Sequence, residues 1–258
     1  MALRFSTGLR NYLNEAGPVK QALNNGKIYI YTGAQPTSAD DAATGTLLAV
    51  ISKSSGTITE EVQATGSVAL TGGGSGSVDT ITVNSISVLP AAVPFNASLI
   101  QTASDIADAI NNNPQNLLFT ASNSGTATVT IKAKLGLGAL ANGWVVASTA
   151  TTITKTDSNM ASGVTAVNGL TFGDATSGTL VKNPLETWTG LGLAAGTAGW
   201  FRFEGALADT EASDTAGAFN RLDGNISTSG ANLNMSSTTI AVGATQTIST
   251  FNLTIPAA

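Results

Sequence analysis

The sequence predicts a mainly β protein. Its host domain is β-sandwich or jelly-roll-like with a short N-terminal helical segment, interrupted by a small α+β domain in which one helix packs on a sheet. Three observations lead there. Short β-branched and aromatic runs, bounded by Gly, Pro, Asn and Asp, recur along the whole chain of 258 residues. Apolar residues at helical spacing occur only within residues 3–23 and 96–111. A Gly/Ser/Thr-rich style of sequence begins near residue 60 and ends near 163, where the opening style returns. The host then comprises 1–60 and 164–258, and the insert 61–163, each within the usual domain range.

Composition excludes several classes of function. Hydrophobic residues make up 42% of the chain and charged residues 10%, where ~25% charged is ordinary. Such a chain can build a core and is no disordered spacer. It contains no Cys and no His, which removes Cys/His zinc sites, disulfides, thiol nucleophiles and imidazole bases. A net charge of −5 opposes a nucleic-acid groove, which needs clustered cations. No apolar run reaches the ~18–20 residues of a membrane span, and no secretory segment is expected at the N-terminus.

Taken in order, Leu3, Leu9, Tyr12, Leu13, Val19 and Leu23 have helical spacing. Gly8 and Gly17-Pro18 divide them into one or two short helices. Lys27 to Thr32 (KIYIYT) reads as a strand. After a turn at 33–36, Thr46 to Ser52 (TLLAVIS) reads as a strand buried on both faces. Ser54 to Gly76 reads as a polar stretch with Gly72-Gly73-Gly74 at a flexible tip. Asp79 to Leu89 alternates as two short strands about Asn84-Ser85. Asn96 to Asn111 is the best helix, with Leu99, Ala103, Ile106, Ala107 and Ile110 on one stripe and Ser98 or Asn96 as cap. Leu117 to Ala121 and Ala127 to Ala133 form a hairpin; Trp144 to Ser148 and Thr151 to Lys155 supply two further strands. In the returning host, strands are expected at Leu170 to Phe172, Leu180-Val181, Gly199 to Gly205, Ser236 to Val242 and Thr247 to Ile255.

Few residues suggest chemistry. Gly190-Leu-Gly192-Leu-Ala-Ala-Gly196 resembles a dinucleotide loop, but its third glycine is one residue late and no apolar strand precedes it. Gly136-Leu-Gly138 fails likewise. Asp40-Asp41 and the group Asp209, Glu211, Asp214 and Asp223 lack the spacing of a calcium loop. Asp223-Gly-Asn225 therefore reads as a solvated turn. Glu60-Glu61, or Glu186 with Glu204, is a formal carboxylate pair for glycoside hydrolysis. Aromatics at 5% are too sparse for a sugar cleft. No Gly-x-Ser-x-Gly elbow is present, and a Ser–Lys dyad has no supporting motif. No catalytic residue, cofactor or metal site is assigned, and the chain reads as a non-enzyme.

Trp188, Trp200, Phe201 and Phe203 form the densest aromatic region. They either fill the host core or anchor an interface, where Trp and Arg concentrate binding energy. Arg4, Arg10 and Lys20 are the one local basic group. The interface candidates are Arg4, Arg10, Tyr12, Trp188, Trp200 and Arg202.

The opening (ALRFSTGLRNYL … GKIYIYTGAQPTSADDAATGTLLAVIS) and the closing (GLTFGD … GTAGWFRFEGALAD … DGNISTSGANLNMSSTTIAVGATQTISTFNLTIPAA) resemble uncharacterised virion structural proteins of tailed bacteriophages. The middle (GSVALTGGGSGSVDTITVNSISVL … ASDIADAINNN … NGWVVASTATTITKTDSNMASGV) is similar to an accessory module common in phage structural proteins. The resemblance implies a multicopy virion component, made in the bacterial host cytoplasm, and it transfers no catalytic residues. The expected role is a head decoration or other capsid-bound protein acting by assembly. The alternatives are a tail-associated component (adaptor, nozzle, tube or fibre base) and a receptor- or glycan-binding module acting through the insert. Partners are then further copies of the chain, the major capsid or other virion proteins, and in the last case a host-surface glycan.

Overall fold

The computed structural model describes residues 3–254. The chain is mainly β, with 42% of residues in strands and 12% in helices, arranged as several antiparallel sheets. Contacts group it into two compact units, Met1–Glu61 with Ala166–Ala258, and Val62–Thr165. No helix among the described residues is long and apolar enough to cross a membrane.

The elements run in order β1 (Arg4–Phe5), α1 (Thr7–Glu15), α2 (Val19–Leu23), β2 (Lys27–Thr32) and β3 (Leu47–Lys53). Next come β4 (Thr65–Gly72), β5 (Ser77–Val83), β6 (Ile86–Ser87), β7 (Val93–Pro94), α3 (Leu99–Asn111), β8 (Phe119–Ser122), β9 (Thr128–Ala133), β10 (Val146–Thr151) and β11 (Thr154–Ala161). The chain then forms β12 (Thr179–Val181), β13 (Trp188–Leu191), β14 (Gly196–Glu204), β15 (Arg221–Ser227), β16 (Leu233–Asn234), β17 (Thr239–Ile240), β18 (Thr245–Ile248) and β19 (Asn252–Thr254).

In the first unit, a sheet runs β1-β15-β14-β2-β3-β13-β18, with β16 on β15 and β17 on β14; β12 and β19 pair separately. Register divides this sheet's two faces cleanly. One face carries Leu222, Phe203, Ile28 and Ile51 in one row and Phe201, Ile30 and Ala49 in the next. It packs with Trp188, Phe172, Phe251, Leu180 and Leu253 into one apolar cluster. Side chains alternate across a strand, so the intervening residues share the opposite face. Ser6 caps α1, its hydroxyl accepting from the Leu9 N–H, and that hydroxyl also donates to the Phe219 carbonyl.

In the second unit, one sheet runs β10-β5-β6 with β7 on β5, and the other β11-β4-β9-β8. Val68, Ile81, Val83, Val129, Ile131 and Val146 fill the interior, and α3 contributes Ala103, Ile106, Ala107 and Ile110. Ser98 is the cap of α3: its hydroxyl accepts from the Gln101 N–H.

Several expectations are corrected. Within the polar stretch Ser54 to Gly76, residues 65–72 form β4, held between β9 and β11 with Val68 and Leu70 inward. Thr247 to Ile255 is not one strand. β18 pairs with β13 and β19 with β12, on either side of buried Phe251; Ile255 lies outside the described residues. Leu170 to Phe172 makes only isolated bridges, to Gly26 and Lys182, and Ser236 to Val242 contracts to β17. Thr46 to Ser52 is not buried throughout: Val50 is half-buried while Ala49 and Ile51 are enclosed. Asp223-Gly-Asn225 lies inside β15, with Asp223 fully buried. A polar triplet sits there because its neighbours supply the opposite charge.

Candidate functional site

The face of the large sheet away from its apolar core is charged and aromatic. One row places Arg4, Asp223, Arg202 and Tyr29 side by side across four strands. A second holds Arg221, Glu204 and Lys27, and a third Asn225, Trp200 and Tyr31. Charges thus alternate in sign from strand to strand, the arrangement in which cross-strand pairs attract. Lys27, Arg202, Glu204, Arg221 and Asp223 are all buried.

The central pair is a two-point fork. Arg202 Nε and Nη2 each donate to an Asp223 carboxylate oxygen at 2.8 Å, the strongest ordinary geometry for this pairing. Burial works against the charge on Arg202, yet Asp223 and Glu211 together raise its pKa further. Arg202 Nη2 also donates to the Asp41 carbonyl at 3.0 Å, tying the 33–46 loop to the sheet. Arg221 makes a second fork, onto both oxygens of Asp209. Lys27 pairs with Glu60 and stands 3.4 Å from Glu204.

Aromatics complete the face. Tyr31 stacks on Trp200 with ring centres 4.6 Å apart, and the Trp200 indole N–H donates to the Thr44 carbonyl. The Arg202 guanidinium lies 5.5 Å from the Trp200 ring, a cation–π distance. The Tyr31 hydroxyl donates to Glu211 at 2.9 Å. Burial first, then the adjacent Glu211 charge, raises its pKa far above the ordinary tyrosine value.

The loops that meet this face are pinned by carboxylates. Asp40 accepts from both the N–H and the hydroxyl of Thr7 at 2.7 Å. Asp214 accepts from the Ala218 and Phe219 N–H groups. These bonds hold its pKa below the ordinary value although burial pushes upward.

The expected interface residues separate into two groups. Trp188, Trp200 and Arg202 are fully buried, which removes them as surface anchors of the folded chain. Trp188 belongs to the apolar cluster, while Trp200 and Arg202 belong to the ionic face. Arg4 is half-buried and donates to the Pro36 carbonyl. Tyr12 packs its ring on the apolar cluster, and burial, followed by Glu61, pushes its pKa up to about 12. Arg10 is exposed, folding back onto Thr7 of its own helix.

Glu186 and Glu204 serve separate surroundings. Glu186 accepts from Thr171 and from the Trp188 indole, whereas Glu204 faces Lys27. The glycines of the 190–196 segment have a packing role: a Cβ on Gly190 would lie 2.0 Å from the Val50 carbonyl oxygen, and one on Gly192 2.1 Å from that of Ala241. Sequence reasoning missed Arg221, Asp223 and Asp209 as one network. The alternation of Leu222, Gly224 and Ile226 with Arg221, Asp223 and Asn225 was its available signal.

Comparison with known proteins finds no matching family model, no matching curated protein and no matching solved structure.

Proposed function

We propose that this chain is a bacteriophage virion structural protein, a multicopy head decoration or capsid-bound component that acts by assembly and not by catalysis. The observation that carries the reading is an apolar surface beside a sheet edge. Leu191, Leu193 and Val242 are 51%, 57% and 68% exposed. They are brought together because Gly192 exchanges backbone hydrogen bonds with Gly243 and Ala244. A groove of 220 Å³ lined by Val50, Ile58, Leu191 and Leu193 adjoins them. The next strand, β18, ends the sheet order with one partner, β13, among the described residues.

Exposed apolar side chains next to an unfilled strand edge suit a protein–protein contact. The charged face is compatible with the same reading, since its buried ion pairs and hydrogen bonds tie the covering loops to the sheet. A sandwich or jelly-roll host interrupted by an inserted α+β domain is part of the proposal. The sequence resemblance at both ends of the chain and across its middle adds support.

Quantitative mass spectrometry of purified virions, scaled to the major capsid protein, tests it. A copy number in the hundreds is expected for a decoration. A number fixed by the symmetry of a single vertex moves the protein to the tail. Absence from purified particles overturns the assembly reading.

A further inference from the structure

We infer that the segment Glu204–Glu211 forms a calcium site at the margin of the ionic face, a property that stands independently of the assembly reading. Glu204, Asp209 and Glu211 each bring a carboxylate oxygen within 4.8 Å of the other two. Oxygens that close can share one cation, and the flexible shell of six to eight oxygens at ~2.4 Å that calcium accepts suits a loop-borne set better than the near-ideal octahedron magnesium demands.

The second observation is how two of these carboxylates are buried. Glu204 is 1% exposed, and among the described residues neither of its carboxylate oxygens has a hydrogen-bond partner; Glu211 Oε1 is buried in the same condition. Lys27 forms an ion pair with Glu204 Oε2 at 3.4 Å and makes its closer contact with Glu60. A buried carboxylate without hydrogen bonds is costly, and a bound ion is one of the few things that relieves it.

Charge points the same way. The network holds Glu60, Glu204, Asp209, Glu211 and Asp223 against Lys27, Arg202 and Arg221. In these ion pairs five carboxylates meet three cations, an excess of negative charge that favours a bound cation.

There is also room. A cavity of 10 Å³ beside two of the carboxylates, lined by Glu204, Asp209, Gly205, Leu207, Ala218 and Phe219 and not by Glu211, is about the space of one water or small ion. Hard oxygen donors with no nitrogen or sulfur suit calcium, magnesium and manganese and disfavour zinc and copper. The three carboxylates supply part of the shell, and water and lining backbone the rest. Bound there, the ion ties the end of β14 to the following loop.

The test uses the full chain, stripped with a chelator and titrated with calcium by calorimetry. Terbium is the optical probe, excited through the Tyr31–Trp200 stack, whose tyrosine donates to Glu211. The expected results are one calcium per chain, sensitised terbium emission and a rise in melting temperature. Glu211→Gln should weaken calcium affinity by about tenfold or more. Asp174→Asn, which removes an exposed carboxylate paired with Lys20, should leave it unchanged. Absence of uptake by the stripped protein, or equal affinity in Glu211→Gln, overturns the site. So does a Glu204→Gln variant that is more stable than the parent chain while the parent ignores calcium, because Glu204 is then a neutral buried acid.

Discussion

The two units fill their interiors by opposite means. In Val62–Thr165 the buried side chains are mostly small aliphatics, and loose backbone ends are closed by amides. Asn111 bonds both the N–H and the carbonyl of Ala121, and Asn142 both those of Gly163. In the other unit, one side of the large sheet is apolar and the other buries five charged residues between strands and loops. Aliphatic packing degrades gradually as atoms are removed. An ionic interior does not, because each group left without its partner carries its full desolvation cost. A chain with 10% charged residues has thus placed several of them inside, where Arg202 and Arg221 bond to the loops that cover the sheet.

The largest effect expected follows from that contrast. Arg202→Ala strands Asp223 and Glu211 and should cost about 3–5 kcal/mol. Arg202→Met with Asp223→Leu removes the Arg202–Asp223 pair, though not Glu211, and should recover the part of the loss that comes from Asp223, since apolar replacements of similar volume are commonly neutral or better. Denaturant unfolding followed by tryptophan fluorescence reads both, because Trp188 and Trp200 lie in the affected unit. Equal losses in the single and double variants would mean that shape, and not charge, organises this face.

Next in size is a change in the aliphatic unit. Asn116, 7% exposed, donates to the carbonyls of Ile110 and Phe119 at 3.1 Å and accepts from the Phe119 N–H at 3.2 Å. It joins the end of α3 to the start of β8. Asn116→Ala should cost about 2–3 kcal/mol at roughly 1 kcal/mol per bond, and amide exchange should quicken first at Phe119. If exchange quickens equally at β15, the two interiors are more tightly coupled than their separate cores imply.

The same contrast explains what could be read in advance. The aliphatic unit was legible because periodicity is local: α3, the turn at Asn84-Ser85 and the hairpin of β8 and β9 each announce themselves within a dozen residues. β4 was masked by glycines and small polar residues, although Val68 and Leu70 kept the alternation. The ionic face was hidden for a different reason. Arg202 and Asp223 are far apart in sequence and meet only through the register of β14 and β15. Taken alone, each resembles a solvent-facing position, so Asp223-Gly-Asn225 read as a turn. Trp188 and Trp200 were legible as important aromatics, but sequence offered no means of telling a core position from a surface anchor.

The smallest effect expected is on the acid side. Glu186 is pressed upward by burial, but the Thr171 N–H and hydroxyl, the Trp188 indole and Lys53 hold its pKa below the ordinary value of 4.5. Asp214 is held below 3.8 in the same way by the Ala218 and Phe219 N–H groups. The unfolded chain therefore takes up these protons at a higher pH than the folded chain does. The stability they contribute is complete above the unfolded values and is lost as pH falls through the folded ones. Melting temperature should decline below about pH 4.5, from the Glu186 value, and more steeply below the Asp214 value. Glu186→Gln should lower stability at neutral pH by about 1 kcal/mol, one net hydrogen bond, and flatten the acid decline. Both carboxylates belong to the unit with the ionic face, so tryptophan emission should respond to acid before the exchange of α3 does. An acid decline of unchanged slope in Glu186→Gln would assign the sensitivity to the buried ion pairs themselves, and the charged face would then control stability as well as loop order.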